Sequence, residues 1–544
     1  MQIAIAQSNP VVGDLGGNAR SITAALTEAE RAGARLLVTP ELSLCGYPPE
    51  DLLLRPAFLD ACARELAALA ATVDRTPVVV GFPERDGVKC YNALAVLRER
   101  RVAQVYRKQR LPNYTVFDEE RYFEPGDAPC IVEVDGTRFG LLVCEDIWFV
   151  EPARQAKLAG AQVLVVSNGS PYHLRQHALR REHVAARARD TCLPVVYVNR
   201  VGGQDELVFD GASFVTAGNG EVVQQLPAWH ETLALVTLEQ GLPKAVRGSL
   251  DPRLEAHVYA ALVMGVRDYV GKNGFPGVLL GFSGGVDSAL TLAIAVDALG
   301  RDRVRAVMLP SRYTRAISLE DARAMAGIVG VRYDEIPIDP MFGAFLGALE
   351  GEFRDLAPDA AEENIQARIR GTVLMALSNK FGSIVLTTGN KSEMAVGYAT
   401  LYGDMAGGFG VLKDISKTLV YRLCHYRNAL GRVIPERIIT RAPSAELRAD
   451  QVDQDSLPPY DALDGILEAY VEHNRSPAEI VALGFAPENV RKVVRLIKVN
   501  EYKRRQAAIG IRITPRGFGK DWRYPVTSAW REWEALGGEE SGQR

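Results

Sequence analysis

Short apolar runs, each closed by a polar or glycine-rich turn, recur throughout residues 1–240 of this chain. Their length and β-branched content predict strands at 2–6, 35–39, 77–81, 93–97, 102–106, 139–143, 163–167 and 195–199. Between some of them the apolar positions switch to three- and four-residue spacing, which predicts helices over 19–32 and 56–73. Ala217-Gly-Asn-Gly220 separates two strand-like runs, 213–216 and 221–225, and reads as a hairpin turn. Hairpins mixed with crossovers predict a layered α/β sandwich.

A second pattern begins after residues 241–252, where prolines, glycines and charges cluster as at a seam between domains. A helix is expected over 253–270. Strands at 277–282, 304–309, 332–338 and 383–387 then alternate with helices at 289–296, 319–329 and 362–381. Strict alternation predicts a doubly wound parallel sheet that binds ligands beyond the carboxyl ends of its strands. The chain thus divides into an expected domain at 1–245 and another at 246–544, with a frayed tail at 537–544.

Composition narrows the class. Lysine plus arginine number 63 against 67 acidic residues, and the signs are interspersed, so no nucleic-acid partner is implied. No apolar run approaches the ~20 residues that span a bilayer, so no membrane is expected. Seven cysteines are scattered without a Cys-x-x-Cys pair, which disfavours a disulfide framework and a zinc site. The expectation is a soluble cytoplasmic enzyme.

Ser-Gly-Gly-Val-Asp-Ser at 283–288 lies between an expected strand and an expected helix. Amides of Gly284 and Gly285 at a helix start can cradle phosphates, and Ser283 and Ser288 can add hydroxyl donors. Asp287 can hold magnesium against phosphate oxygens. The Walker A lysine is missing, and the stretch is similar to the pyrophosphate loop of enzymes that cleave ATP to AMP and pyrophosphate. In the first half, Glu41, Lys108 and Cys144 each follow a predicted strand end. A carboxylate, an ammonium and a thiol together could release ammonia from an amide. Taken singly, the cysteine could be a buried small hydrophobe, the lysine part of a solvated face and the glutamate a helix cap.

Thr39-Pro-Glu-Leu-Ser43, Tyr106-Arg-Lys-Gln-Arg-Leu111, Glu119-x-Arg-Tyr-Phe-x-Pro-Gly126 and Leu142-Val-Cys-Glu-Asp-Ile-Trp148 resemble the nitrilase (carbon–nitrogen hydrolase) superfamily. The resemblance implies an αββα sandwich with Glu41 as general base, Lys108 as transition-state stabiliser, Cys144 as nucleophile and Glu119 as a supporting carboxylate. It also implies glutamine-binding roles for Tyr114, Ser170, Gln176 and Glu145. One departure is Arg175-Gln176, where relatives often carry Gly-Lys.

In the second half, Asn364-x-x-Ala-Arg368 and Gly389-Asn-Lys-Ser-Glu393 accompany the phosphate loop and resemble the NAD+ synthetase family, with its ATP-pyrophosphatase type of domain. That resemblance implies ATP contacts at Gly281, Phe282, Ser283, Gly284, Gly285, Val286, Asp287, Ser288 and Thr388. Contacts to deamido-NAD+ are implied at Asn364, Arg368, Glu393, Asp404, Lys417 and Lys503, and magnesium at Asp287 and Glu393. The two halves together look like glutamine-dependent NAD+ synthetases, which implies glutamine, ATP and deamido-NAD+ as substrates and pairing of chains through the synthetase half. Three rivals remain at this stage: another AMP-forming amidation, an amidase whose second half only senses nucleotide, and a non-enzymatic scaffold.

Overall fold

The computed structural model of the protein describes residues 1–246, 248–448 and 451–536; the expected tail at 537–544 lies outside them. The chain separates into two compact units, Met1–Pro252 and Arg253–Arg544. Among the described residues no helix is long and apolar enough to cross a membrane.

Two large sheets and a two-stranded ribbon build the first unit. Its early strands are β1 (Gln2–Gln7), β2 (Leu37–Val38), β3 (Val78–Asp86), β4 (Lys89–Arg98) and β5 (Arg101–Arg107). Next come β6 (Ile131–Val134), β7 (Thr137–Val143), β8 (Val163–Asn168), β9 (Val195–Asn199), β10 (Val201–Gln204) and β11 (Leu207–Asp210). The last four are β12 (Phe214–Thr216), β13 (Val222–Gln225), β14 (Thr232–Glu239) and β15 (Leu242–Pro243). One large sheet has the order β15-β14-β1-β2-β3-β4-β5 and the other β13-β12-β9-β8-β7-β6, while β10 and β11 form the ribbon.

The alternation of strand side chains explains the layers. Ile3 and Ile5 of β1 join Val79, Leu94 and Val96 in a core shared with Phe139, Val165 and Val196 of the facing sheet. Ala4 and Ala6 point the other way and pack with Ile22, Leu26 and Leu66 from helices Leu15–Arg31 and Pro56–Thr72. Helices Val150–Leu158 and Gln176–Thr191 supply Ala153, Ala156, Val184 and Ala188 to the first of these clusters. The result is the expected αββα sandwich.

Some elements differ from the sequence pattern. The run at 35–39 forms ladder pairs only at Leu37 and Val38. Strand β14 was not anticipated, although its residues 232–237 pair antiparallel with the whole of β1. The predicted hairpin forms between Phe214–Thr216 and Val222–Gln225, with a register shift at Val215/Thr216.

The second unit carries β16 (Val278–Gly281), β17 (Val304–Met308), β18 (Arg332–Glu335), β19 (Ile384–Thr387) and β20 (Phe409–Gly410). Their order is β18-β17-β16-β19-β20, and every pair is parallel. Chain order reverses between β16 and β19, which is where such sheets open a ligand crevice. The strand expected over 332–338 ends at Glu335, because Asp339-Pro340 starts a helix and proline suits that first turn. Beyond the sheet, helices Tyr460–Leu467, Pro477–Ala482 and Pro487–Val499 share a further core with Met394, Val396, Phe518 and Trp522.

Candidate active sites

In the first unit the turns after β2, β5 and β7 converge on one buried cluster. Lys108 Nζ donates to Glu41 Oε1 at 2.8 Å and to both oxygens of Glu119 at 2.9 and 2.8 Å. Glu41 also accepts from Asn92 Nδ2 at 2.7 Å and from the Gly169 amide at 2.7 Å, while Tyr47 OH donates to Glu119 at 2.9 Å. None of these partners was singled out from sequence. Asn92 offered a signal, a polar side chain inside an otherwise apolar strand, and Tyr47 stands in the Gly46-Tyr47 pair that carries part of the resemblance; Gly169 offered none, since its contact depends on which loops meet.

Cys144 opens the short turn Cys144–Trp148 with φ 43°, a left-handed conformation that costs a non-glycine residue energy and lifts its side chain from the strand line. Asp146 fastens that turn. Its Oδ2 accepts from the Val143 amide at 2.9 Å and Tyr106 OH at 2.7 Å, and its Oδ1 accepts from the Gln109 and Arg110 amides at 3.0 and 2.9 Å. One carboxylate therefore ties the cysteine turn to the segment that follows Lys108. A Cβ at Gly169 would crowd the Tyr47 ring at 3.0 Å and Glu41 Oε2 at 3.2 Å, so a side chain there would press on the two groups that flank the cluster.

Electrostatics in the cluster follow from burial. Desolvation pushes the Cys144 thiol well above its ordinary range, the Glu41 charge adds to this, and the Lys108 ammonium opposes it. The resting sulfur is therefore a thiol. Burial alone would lower Lys108, but Glu119 and Glu41 outweigh it and hold the ammonium protonated. Desolvation raises Glu119, against the pull of Lys108.

The four residues expected to bind glutamine fall into two groups. Tyr114 OH donates to Glu145 at 3.0 and 3.1 Å, placing a half-exposed phenol on a carboxylate next to Cys144 in sequence. Gln176 Nε2 donates to Ser170 Oγ at 3.3 Å. Behind them Arg180, fully buried, donates to Ser170 Oγ at 3.0 Å and pairs with Asp210 at 2.5 Å. Asn199 holds the Ser170 amide at 3.0 Å. Arg180 and Asp210 were not anticipated.

In the second unit the phosphate loop joins β16 to helix Val286–Leu299. Phe282 and Val286 are buried at 1% and 4% exposure, which leaves their backbone as the part a nucleotide can reach. Gly281 is the last residue of β16. Gly284 has φ 75°, and a Cβ there would lie 2.5 Å from the Ser318 carbonyl, so only glycine fits. Ser283 Oγ and Ser288 Oγ are 3.2 Å apart across the turn. Thr388 is half-buried just beyond β19.

Asp287 meets two residues from the far side of the crevice. Asn390 Nδ2 donates to its Oδ1 at 2.9 Å, and Lys417 Nζ to its Oδ2 at 2.5 Å. Lys417 also donates to Glu393 Oε1 at 3.3 Å. Asn390 caps the helix that carries Glu393, so one side chain links the helix start to the phosphate loop. Desolvation pushes Glu393 up to about 8, against Lys417 and with help from Asp287.

The other expected contacts gather around residues 397–404. Asn364 accepts from Thr400 Oγ1 at 2.7 Å and Arg368 Nε donates to the Leu401 carbonyl at 3.3 Å. Lys503 donates to the Gly397 and Ala399 carbonyls, both at 2.8 Å. Asp404 accepts from the Thr400 amide at 2.6 Å. With Glu393, Thr387 and Lys413, Asp404 lines a cleft.

Two family models match the chain: carbon-nitrogen hydrolase over residues 2–247 and NAD synthase over residues 258–507. The chain is 48% identical over 536 residues to the glutamine-dependent NAD(+) synthetase of Acinetobacter baylyi, covering 97% of this chain and 99% of that one. It is also 48% identical over 540 residues to the enzyme of the same name from Xylella fastidiosa, covering 98% and 99%. Among solved structures, the glutamine-dependent NAD+ synthetase of Acinetobacter baumannii in complex with ADP is 46% identical, covers 98% of this chain and 99% of its own, and superposes with a TM-score of 0.79.

Proposed function

The chain belongs to the glutamine-dependent NAD+ synthetase family, and from that premise we infer that it amidates deamido-NAD+ (nicotinic acid adenine dinucleotide) at the expense of ATP, with nitrogen taken from glutamine. The observation that carries this reading is the full-length likeness to such enzymes of a chain that holds two separate sites, a Glu–Lys–Cys cluster and a phosphate loop.

In the first unit Cys144 attacks the side-chain amide carbon of glutamine as Glu41 takes the thiol proton. A thiol held protonated by burial needs such a base at the moment of attack. An ammonium has three hydrogens, and at rest Lys108 directs them to Glu41 and to both oxygens of Glu119; turning one of them from Glu119 to the substrate stabilises the developing oxyanion. Ammonia leaves with the proton from Glu41. Water, activated by Glu41, then cleaves the thioester to glutamate. Glu145 with Tyr114 suits the substrate's α-ammonium, and Ser170 with Gln176 the opposite end of the same binding site.

In the second unit the nicotinate carboxylate attacks the α-phosphorus of ATP and expels pyrophosphate. Ser283, Ser288 and the amides of Gly284 and Gly285 receive that anion at a helix start. A bare carboxylate is a poor acyl donor, whereas the adenylate carries AMP as a good leaving group. Ammonia attacks the nicotinyl carbon, and NAD+ and AMP result. Thr388 serves ATP, and Asn364, Arg368, Glu393, Asp404, Lys417 and Lys503 serve deamido-NAD+ or its adenylate.

Magnesium fits this donor set. Among the described residues no three His, Cys, Asp or Glu side chains converge as a self-sufficient metal cage. Asp287 and Glu393 instead offer two hard carboxylates beside a phosphate loop, and magnesium is commonly held by one or two carboxylates plus phosphate oxygens. Held there, the ion would offset charge on the leaving pyrophosphate. The reading carries with it a cytoplasmic location, where ATP and glutamine are available, and pairing of chains through the synthetase half.

The test is product stoichiometry. Incubated with deamido-NAD+, ATP, magnesium and glutamine, the full chain is expected to form NAD+, AMP, pyrophosphate and glutamate in equal amounts. Amide hydrolysis without any pyrophosphate would sink the reading.

A further inference from the structure

Lys417 occupies an unusual place. It is the first residue of helix Lys417–Leu430, where the helix dipole is positive and disfavours a cation. Its side chain is buried to 2% exposure, yet its ammonium lies 2.5 Å from Asp287 and 3.3 Å from Glu393. The backbone on which it stands is fixed, since the Lys417 amide donates to Ser392 Oγ at 2.9 Å and the Thr418 amide to Asp464 at 2.9 Å. The side chain, which also lies over the Tyr460 ring at 5.3 Å, is therefore the part that would have to move if the two carboxylates changed partner. A divalent ion held by the same two carboxylates would compete with this ammonium for their oxygens.

We propose that Lys417 is the resident counter-ion of the Asp287–Glu393 pair and keeps divalent metal out until nucleotide phosphates draw the ammonium away. The inference rests on the reading of Asp287 and Glu393 as the metal-facing carboxylates. Two cations cannot share the pair at such distances, so metal alone has to displace a buried, doubly bonded ammonium. A nucleotide removes that obstacle, because its phosphates offer Lys417 new acceptors while adding oxygens to the metal's own shell. Metal and nucleotide therefore enter as a unit, and the emptied site returns to a charge-compensated state after each turnover. Asn390, bonded to Asp287 Oδ1, keeps that carboxylate aimed while the cation changes.

Manganese binding to the full chain, read from the electron paramagnetic resonance of the free ion, tests this directly. Without nucleotide, the wild-type protein is expected to bind manganese at least tenfold more weakly than Lys417→Met. Adding a non-hydrolysable ATP analogue should close most of that gap. The gain in Lys417→Met should vanish in the double variant with Asp287→Asn. Lys417→Arg, which keeps the charge and guards against misfolding of the methionine variant, should bind metal alone as weakly as wild type. Equal manganese affinity in wild type and Lys417→Met, with circular dichroism showing both folded, overturns the proposal, as does an arginine variant that binds metal like the methionine one. Manganese that fails to bind wild type even beside the ATP analogue removes the metal site itself, and the proposal with it.

Discussion

Each unit contains a buried lysine between two carboxylates, and the two clusters differ in how finished they are. Around Lys108 every group is enclosed: Lys108 and Glu41 have no exposed side-chain surface, and Asn92, Gly169 and Tyr47 occupy further acceptor positions on the two glutamates. Around Lys417 the carboxylates of Asp287 and Glu393 keep 17% and 18% of their side-chain surface open, and one of the two contacts is long at 3.3 Å. A closed cluster suits a reagent set that must stay in one geometry while substrate comes and goes. An open one suits a site whose charge balance is completed by what it binds. The same three groups thus serve as a fixed tool in one unit and as a replaceable plug in the other.

The comparison breaks first on nitrogen source. Cys144→Ala is expected to cut glutamine-driven NAD+ formation by at least about 10³-fold and to leave ammonia-driven formation nearly intact. Asp287→Ala is expected to lower formation with either source by about 10²- to 10³-fold. Steady-state rates with glutamine and with ammonium salts separate the two; a Cys144→Ala enzyme dead with ammonia would show that the sites are one. Stability sharpens the contrast next. Lys108→Met strands two buried carboxylates and should destabilise the first unit by about 3–5 kcal/mol, measured by denaturant unfolding. Lys417→Met should cost clearly less, because water reaches Asp287 and Glu393. The smallest effect concerns reactivity. With the Cys144 thiol pushed well above its usual range, its alkylation by iodoacetamide should be slow at neutral pH and climb steadily as pH rises past 9. Exposed Cys192 should react before it. Fast modification of Cys144 at pH 7 would mean that Lys108 governs the sulfur more than burial does.

Much of this was legible in the sequence because chemistry sits at strand ends. Glu41, Lys108 and Cys144 follow β2, β5 and β7, and Ser283 and Thr388 follow adjoining parallel strands, so the alternation of apolar runs places them without coordinates. Roles beyond that came from motif resemblance, as for Glu119. What stayed hidden are contacts set by loop geometry. Asp146 stands inside a quoted motif, but three of its four hydrogen bonds reach Tyr106, Gln109 and Arg110, in a segment that only the closed sandwich brings near. Asn390 likewise stands inside Gly-Asn-Lys-Ser-Glu, and its bond to Asp287 spans 103 residues. Arg180 reads as one basic residue among several on its helix, and only burial against Ser170 and Asp210 distinguishes it.

Strand β1 sits inside its sheet, flanked by β2 and by β14, with Gln2 opposite Thr237. On a ribosome adding about 5–20 residues per second, the first strand waits on the order of ten to fifty seconds for that second neighbour to emerge. Throughout that interval an apolar edge, Ile3-Ala-Ile5, is unmatched, and nascent chains of this unit should depend on chaperones more than their final compactness suggests. A gene in which the codons for Thr232–Glu239 are moved to just ahead of Met1 would bring the partners together within the opening stretch of translation, and its yield without chaperones would measure how much that delay matters.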